Sequence, residues 1–248
     1  VTDAFPAGSV SVIAELGPNH NGSLQNVFYL IDAAAEAGAD WIKLQAYTAD
    51  ELVALRGDGK APPPWGDDGW QMRDLYTHAA TPFDWFPTIK NYCESRSINW
   101  FASVFGKTSL DMLESCDCPV YKIAAMESQN AHLRAMIGST DKPLVVSSPH
   151  PNVFAAHPRL LMCYCPPAYP QTRFCLRNLR NGYEGFSYHH NDPNLPALTV
   201  PFGVRYIEAH IHLEDEPSRF EAGFAMAPDV FGQMIERIRQ AEAACAAS

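Results

Sequence analysis

Ten residues of this sequence have side chains suited to charge-stabilised chemistry, and they fall at or just beyond the ends of short apolar runs. Glu15 closes the first run, Lys43 and Gln45 the second, and Lys122 and Glu127 flank the end of the fourth. Ser147 ends the fifth, Ser187 and His189 the seventh, and Glu208 and His210 the eighth. Charged side chains inside apolar segments are costly unless they have a partner or a task. His189 and His210 come from neighbouring runs and could share a divalent cation, with Glu15 or Glu208 as a further ligand or an outer carboxylate. The alternative is a pair of satisfied core or rim histidines. Lys43 and Lys122 suit a carboxylate or phosphate held in a desolvated cleft. Their alternative is salt bridges to Glu15 and Glu127 in the same mouth. Glu127 can serve as a general acid or base if burial raises its pKa. His150, His190 and His212 are weaker candidates.

The elements that must position these residues alternate along the chain. The apolar runs are Val10–Leu16, Trp41–Leu44, Trp100–Val104, Val120–Ala124, Leu144–Ser147, Leu160–Cys163, Gly185–Tyr188 and Val204–Ala209. Several are continuously apolar, as strands of a parallel sheet buried on both faces are. Helix-period stripes lie between them: Leu24, Val27, Phe28 and Ile31, closed by Gly38, and Phe231, Met234, Ile235 and Ile238, opened by Pro228. Phe86, Ile89, Lys90 and Cys93 form a weaker stripe. Eight strands alternating with helices predict a (β/α)8 TIM barrel, whose chemistry sits at the C-terminal ends of its strands. No G-x-G-x-x-G follows the first strand, which weighs against a dinucleotide-binding sheet. Residues 47–81 form a long connection expected to cover the active face. About a dozen residues separate Ser147 from Leu160, too few for an ordinary crossover helix, so that segment is expected to be shortened.

Bulk properties bound the rest. At 248 residues the chain suits one barrel over residues 1–248 with no second sizeable domain. The net charge of −10 argues against nucleic-acid or anionic-membrane partners, and no run approaches the ~20 apolar residues of a membrane span. No secretion signal is visible, and the seven cysteines read as free thiols, which together predict a cytoplasmic protein. The Cys116/Cys118 and Cys163/Cys165 pairs lack zinc-ribbon spacing.

The same residues sit in phrases that resemble the sialic acid synthase (N-acetylneuraminate synthase) family. Ile13-Ala-Glu-Leu-Gly-Pro-Asn-His-Asn-Gly22 is very close to that family's opening motif. Ile31-Asp-Ala-Ala to Asp40, Lys43-Leu-Gln45, Tyr121-Lys-Ile-Ala124 with Glu127, Gly185-Phe-Ser-Tyr-His189 and Ile207-Glu-Ala-His210 follow in the family's order. The resemblance implies condensation of phosphoenolpyruvate with a sugar-like aldehyde, giving a deoxy-keto acid and phosphate. It implies that His189 and His210 hold a divalent metal, Mn2+ or Mg2+, that polarises the aldehyde. Lys43, Gln45, Lys122 and Ser187 would position phosphoenolpyruvate, with Ser147 and Tyr169 also binding substrate. Glu15 and Glu127, with Lys122, would form the catalytic set.

Departures from the pattern cluster on the phosphate cradle and the acceptor side. Ala125 and Met126 replace a serine and a glycine, and Ser148-Pro149-His150 replaces Thr-Gly-Met. Pro167 replaces an asparagine, although Tyr169-Pro170 persists. Tyr188 and His190 replace residues beside the metal histidine, and a late Asp-His motif is Glu221-Ala222. The family's C-terminal antifreeze-like domain, which donates an acceptor-binding arginine, is not expected in this barrel. A different acceptor is therefore expected. Two other readings stay open: a metal-dependent aldolase or lyase with a pyruvate-like donor, and a non-catalytic barrel subunit of a biosynthetic complex. A homodimer also stays open.

Overall fold

The structure, a computed structural model, describes residues 4–151, 159–173 and 175–247. Eight parallel strands close into a barrel in chain order. They are β1 (Ser11–Glu15), β2 (Trp41–Ala46), β3 (Asn99–Val104), β4 (Tyr121–Ile123), β5 (Leu144–Ser148), β6 (Leu160–Tyr164), β7 (Gly185–Tyr188) and β8 (Tyr206–His210). Each lies within two residues of an apolar run read from the sequence. The fold is the expected (β/α)8 TIM barrel.

The outer layer is uneven. α1 (Leu24–Ala37) follows β1, and three helices follow β2: α2 (Ala49–Arg56), α3 (Met72–Ala79) and α4 (Phe86–Ser95). α5 (Lys107–Ser115), α6 (Ala131–Gly138) and α7 (Pro228–Ala246) follow β3, β4 and β8. The helical stripes bury as their spacing requires: Val27 and Ile31 on α1, Phe86, Ile89 and Cys93 on α4, Phe231, Met234, Ile235 and Ile238 on α7. The expectation of helices between strands from end to end needs correcting for two crossovers. After β6 and β7 only 3-10 turns form among the described residues, Leu176–Arg180 and Pro196–Phe202. Pro201, inside that second turn, lacks the N–H group that an α-helix there would use. The shortened crossover expected between β5 and β6 falls on residues 149–159, of which 152–158 lie outside the described residues.

The barrel interior is filled from the bottom. Phe5 plugs the floor, its ring centroid 4.5 Å from Tyr206, 5.4 Å from Trp41 and 6.2 Å from Phe101. Tyr206 fills the space beside β7 because residue 185 is glycine: a Cβ there would stand 2.0 Å from the tyrosine ring. Above this apolar layer the ladder pairs Glu15 with Lys43, Ser103 with Lys122, and Ser187 with Glu208. Partners in a parallel register point to the same side of the sheet, so an inward-facing polar layer is written into the pairing.

The 47–81 connection carries structure of its own. Thr48 and Glu51 form a capping box that starts α2, and Leu52 and Tyr76 pack with Tyr47 and Phe105 in a small separate core. Its middle reaches over the barrel mouth, where Trp65 stacks on Phe220 with centroids 5.7 Å apart.

Candidate active site

Above the polar layer, the C-terminal rim opens into a cleft of about 200 Å3. Lys43, Gln45, Lys122, Ser147, Tyr169, Ser187, His189, Glu208 and His210 all line it. Glu15 lies directly beneath, fully buried, and Glu127 lies just beyond the wall on a 3-10 turn. Eleven residues distant in sequence thus converge on one place.

Charge on the floor is organised around two carboxylates. Glu208 pairs with Lys122, stands 3.5 Å from Lys43 Nζ, and accepts from Ser187 Oγ at 3.1 Å. Glu15 pairs with Lys43 and accepts from Gln45 Nε2 at 2.9 Å. Burial opposes the Lys43 ammonium, but the Glu15 and Glu208 carboxylates outweigh it and raise its pKa above the ordinary lysine value. Burial likewise opposes the Glu208 carboxylate, and the two lysines overcome it, holding its pKa well below the usual range. Buried ion networks of this kind rarely add net stability, because desolvation consumes the Coulombic gain. Their persistence at a barrel mouth points to use on a ligand. The salt bridges considered from the sequence form in part: Lys43 meets Glu15, whereas Lys122 turns to Glu208 and leaves Glu127 to another cation.

That cation is Arg56, from the end of α2. Its Nε lies 2.7 Å from Glu127 Oε1, and its guanidinium sits over the Phe105 ring at 5.6 Å. The other carboxylate oxygen, Glu127 Oε2, is buried without a hydrogen-bond partner among the described residues.

The two histidines stand together on one wall, ring centroids 4.8 Å apart, with Phe224 against both. His210 Nδ1 lies 2.7 Å from Glu221 Oε2, while its Nε2 is buried with no hydrogen-bond partner among the described residues. Burial opposes protonation of His210, but the Glu221 carboxylate prevails and raises its pKa. His189 goes the other way: burial first, then the charge of His210, lowers its pKa well below the ordinary value. Glu221 is fixed by Asn19 Nδ2 at 2.9 Å and by its own backbone N–H on Ser218 Oγ at 2.7 Å. Residue 17 must be glycine here, since its φ is +44° and a Cβ would meet both Glu221 carboxylate oxygens at 3.0 Å.

Neither Glu15 nor Glu208 serves as the carboxylate on a histidine; Glu221 takes that place. Arg56, Glu221, Asn19 and Gln171 were not singled out from the sequence as site residues. Asn19 sat inside the opening motif, and Glu221 stood where the resemblance expects an aspartate, so a carboxylate was traceable there. Arg56 carried no signal. His150, His190 and His212 do not line the cleft. His190 Nδ1 accepts from the Asp192 backbone N–H at 3.0 Å and shapes its own loop.

Fold and site together define a TIM-barrel protein with a charged cleft at its C-terminal rim. Comparison with known proteins narrows the class. The NeuB family's sequence profile matches residues 30–153 and 160–248, and the chain belongs to that family. It is 32% identical over 256 residues to pseudaminic acid synthase of Campylobacter jejuni subsp. jejuni serotype O:23/36 (strain 81-176), covering 95% of this chain and 74% of that one. It is 28% identical to the spore coat polysaccharide biosynthesis protein SpsE of Bacillus subtilis (strain 168), covering 94% and 68%. In fold it matches an N-acetylneuraminic acid (sialic acid) synthetase from Leptospira borgpetersenii serovar Hardjo-bovis, solved with citrate. That match has a TM-score of 0.79 at 21% identity, over 95% of this chain and 85% of that one.

Proposed function

We propose that this protein condenses phosphoenolpyruvate with a sugar-like aldehyde, forming a deoxy-keto acid and inorganic phosphate. The observation that carries the reading is one cleft holding Lys43 and Lys122 on its floor and the paired His189 and His210 on its wall. Lys43, Lys122, Gln45, Ser147 and Ser187 bind the donor's carboxylate and phosphate, the lysines transferring part of their contact from Glu15 and Glu208 to the ligand. The donor's C3 bonds to the aldehyde carbon, and the aldehyde oxygen takes a proton. Water then adds to C2 and loses a proton, the C2–O bond to phosphate breaks as the remaining hydroxyl proton passes to the departing phosphate, and the keto group remains. In this reading Glu15, which Lys43 links to the cleft, and Glu127, just beyond its wall, exchange those protons. Tyr169 and Phe224 wall the cleft and limit its access to water.

The residues fit a divalent ion. With Nδ1 engaged by Glu221, the His210 Nε2 lone pair is free for a metal, the arrangement in which an outer carboxylate orients a ligating imidazole. The Gln171 amide lies 3.2 Å from His189 Nδ1, and its carbonyl oxygen is buried and unpartnered. The same amide nitrogen donates to the Ser187 carbonyl at 2.9 Å, so turning it to accept from an Nδ1–H, which frees His189 Nε2, gives up that bond. No third His, Cys, Asp or Glu completes a ligand cluster among the described residues. Two imidazoles with open positions leave room for water and substrate on the ion, as a closed structural zinc site does not; of the two expected ions, Mn2+ accepts imidazole more readily than the oxygen-seeking Mg2+. When bound, such an ion supplies Lewis-acid polarisation of the acceptor carbonyl.

Calorimetric titration of phosphoenolpyruvate into metal-free and Mn2+-loaded protein tests the reading. We expect saturable binding, weakened at least about tenfold by Lys122→Ala. No binding in either state would sink it. A pyruvate-like donor is the second reading, favoured by Ala125, which removes a hydroxyl from the cleft wall; turnover with pyruvate but not phosphoenolpyruvate would establish it.

A further inference from the structure

The connection after β2 and the loop after β8 meet over the histidine wall, and each is built to hold its own shape. The first contributes a flap, residues 58–71, between α2 and α3. Lys60 and Gln71 pair as an antiparallel bridge, the Ala61 N–H donates to Trp70 O at 2.9 Å, and the Trp70 N–H donates to Trp65 O at 3.1 Å. Gly66 makes the bend possible, since a Cβ there would stand 1.9 Å from Ala61 O. Gly57, at φ +87° and ψ 167°, joins the flap to α2 through a conformation essentially reserved for glycine. The half-buried Trp65 is the ring that this flap lays on the rim.

The second part is the turn that carries Glu221. Ser218 Oγ accepts from the backbone N–H groups of Phe220, at 3.1 Å, and Glu221, at 2.7 Å. Glu221 O accepts in turn from the Phe224 and Ala225 N–H groups at 3.0 and 2.9 Å. Phe220, Glu221 and Phe224 are therefore one piece, and displacing the first displaces the others. On its inner side this piece touches the site, with Glu221 on His210 Nδ1 and Phe224 against both imidazoles. On its outer side Phe220 lies against Trp65, with ring planes 17° apart and centroids 5.7 Å apart.

Resting on the metal site argued above, we propose that Trp65 and Phe220 are positioning residues for the histidine pair. Asn19 and Ser218 secure Glu221 from within the barrel wall. The stack closes the turn from outside, pressing it onto the barrel so that the Glu221 carboxylate stays on His210 Nδ1. The seated flap and a divalent ion at His189 and His210 favour the same arrangement, so each stabilises the other.

The test uses the full chain with Mn2+ alone, read by calorimetry and by hydrogen exchange at the Ala61 and Trp70 amides of the flap. We expect Trp65→Ala and Phe220→Ala each to weaken Mn2+ binding about two- to tenfold, the value of one stacked pair. The double variant should bind no more weakly than the weaker single one, because both changes remove one contact. Trp65→Phe keeps a ring and should recover most of the loss. Urea unfolding of the metal-free variants should match the parent closely, which separates positioning from global stability. Mn2+ should also slow flap exchange in the parent by a similar factor, and should not in Trp65→Ala. Parent-like Mn2+ affinity in Trp65→Ala, additive losses in the double variant, or flap exchange indifferent to Mn2+ would overturn the coupling and leave the metal site standing. A parent chain that binds no Mn2+ would instead remove the metal site and the coupling with it.

Discussion

At the scale of single residues, the site depends on carboxylates that hold other groups in place. Glu221 determines which nitrogen of His210 faces the cleft: a carboxylate on Nδ1 keeps the proton there and leaves Nε2 bare. Glu221→Gln keeps the size but no longer favours that tautomer. We expect Mn2+ affinity to drop about 10- to 100-fold by calorimetry, the usual effect of removing an outer-shell partner. The unfolding midpoint of the metal-free protein should shift little, because Asn19 and Ser218 can still hold an amide. Unchanged metal affinity would mean that Glu221 serves packing alone.

Secondary-structure elements set the precision of that arrangement. β7 must approach β8 closely enough for Ser187 to reach Glu208, and Gly185 makes the approach possible by yielding its side-chain space to Tyr206. Gly185→Ala places a methyl inside the tyrosine ring's volume, so β7 or Tyr206 must move. We expect destabilisation of about 1–3 kcal/mol or more in urea unfolding, the range for overpacking a core. Gly185→Ala combined with Tyr206→Leu should recover part of that loss. If the single variant unfolds like the parent, the barrel floor is more accommodating than its packing indicates. The connection after β2 acts at the same scale. α2 carries Arg56 to Glu127, so the lid contributes a side chain to the site as well as covering it.

For the molecule as a whole, the buried titratable groups predict how stability follows pH. His20, in the loop after β1, is fully buried; its Nδ1 accepts from the Gly22 N–H at 3.0 Å and its Nε2 lies 3.2 Å from Thr81 Oγ1. A second proton would have to sit on Nδ1 facing that N–H, and burial lowers the pKa to about 4 from 6.5. Between these values the unfolded chain binds a proton that the native state refuses, so stability rises with pH across the window. Acidification from pH 6.5 to 4 should therefore cost about 3 kcal/mol through His20, at 1.36 kcal/mol per pKa unit. In metal-free protein His189, depressed by burial, adds to the loss with the same sign, whereas His210, raised by Glu221, opposes it. Glu208, also depressed, loses its contribution as pH falls below about 4.5. Urea unfolding at stepped pH checks the slope, and His20→Gln should flatten it. Equal stability at pH 6.5 and pH 5 would contradict the account.

Much of this architecture was readable from residue order, because it depends on local periodicity. Continuous apolar runs can bury both faces only in a parallel sheet, and eight of them alternating with helical stripes leave few folds besides a barrel. The strand-end positions of Lys43, Lys122, His189 and His210 followed from the same pattern, since a barrel delivers strand ends to one rim. The partnerships among those residues were not readable. Glu127 pairs with Arg56 across 71 positions and Glu208 with Lys122 across 86, and nothing local distinguishes either carboxylate from Glu15. The two crossovers built from 3-10 turns escaped as well, because the second packs against α7, which lies far along the chain, and the first packs against the second. The sequence by itself determined the barrel, the rim and the types of group on it. Only the tertiary structure decided which charge neutralises which, and therefore which imidazole nitrogen is bare. Coulombic pairing and desolvation act through distances in space that sequence separation does not encode.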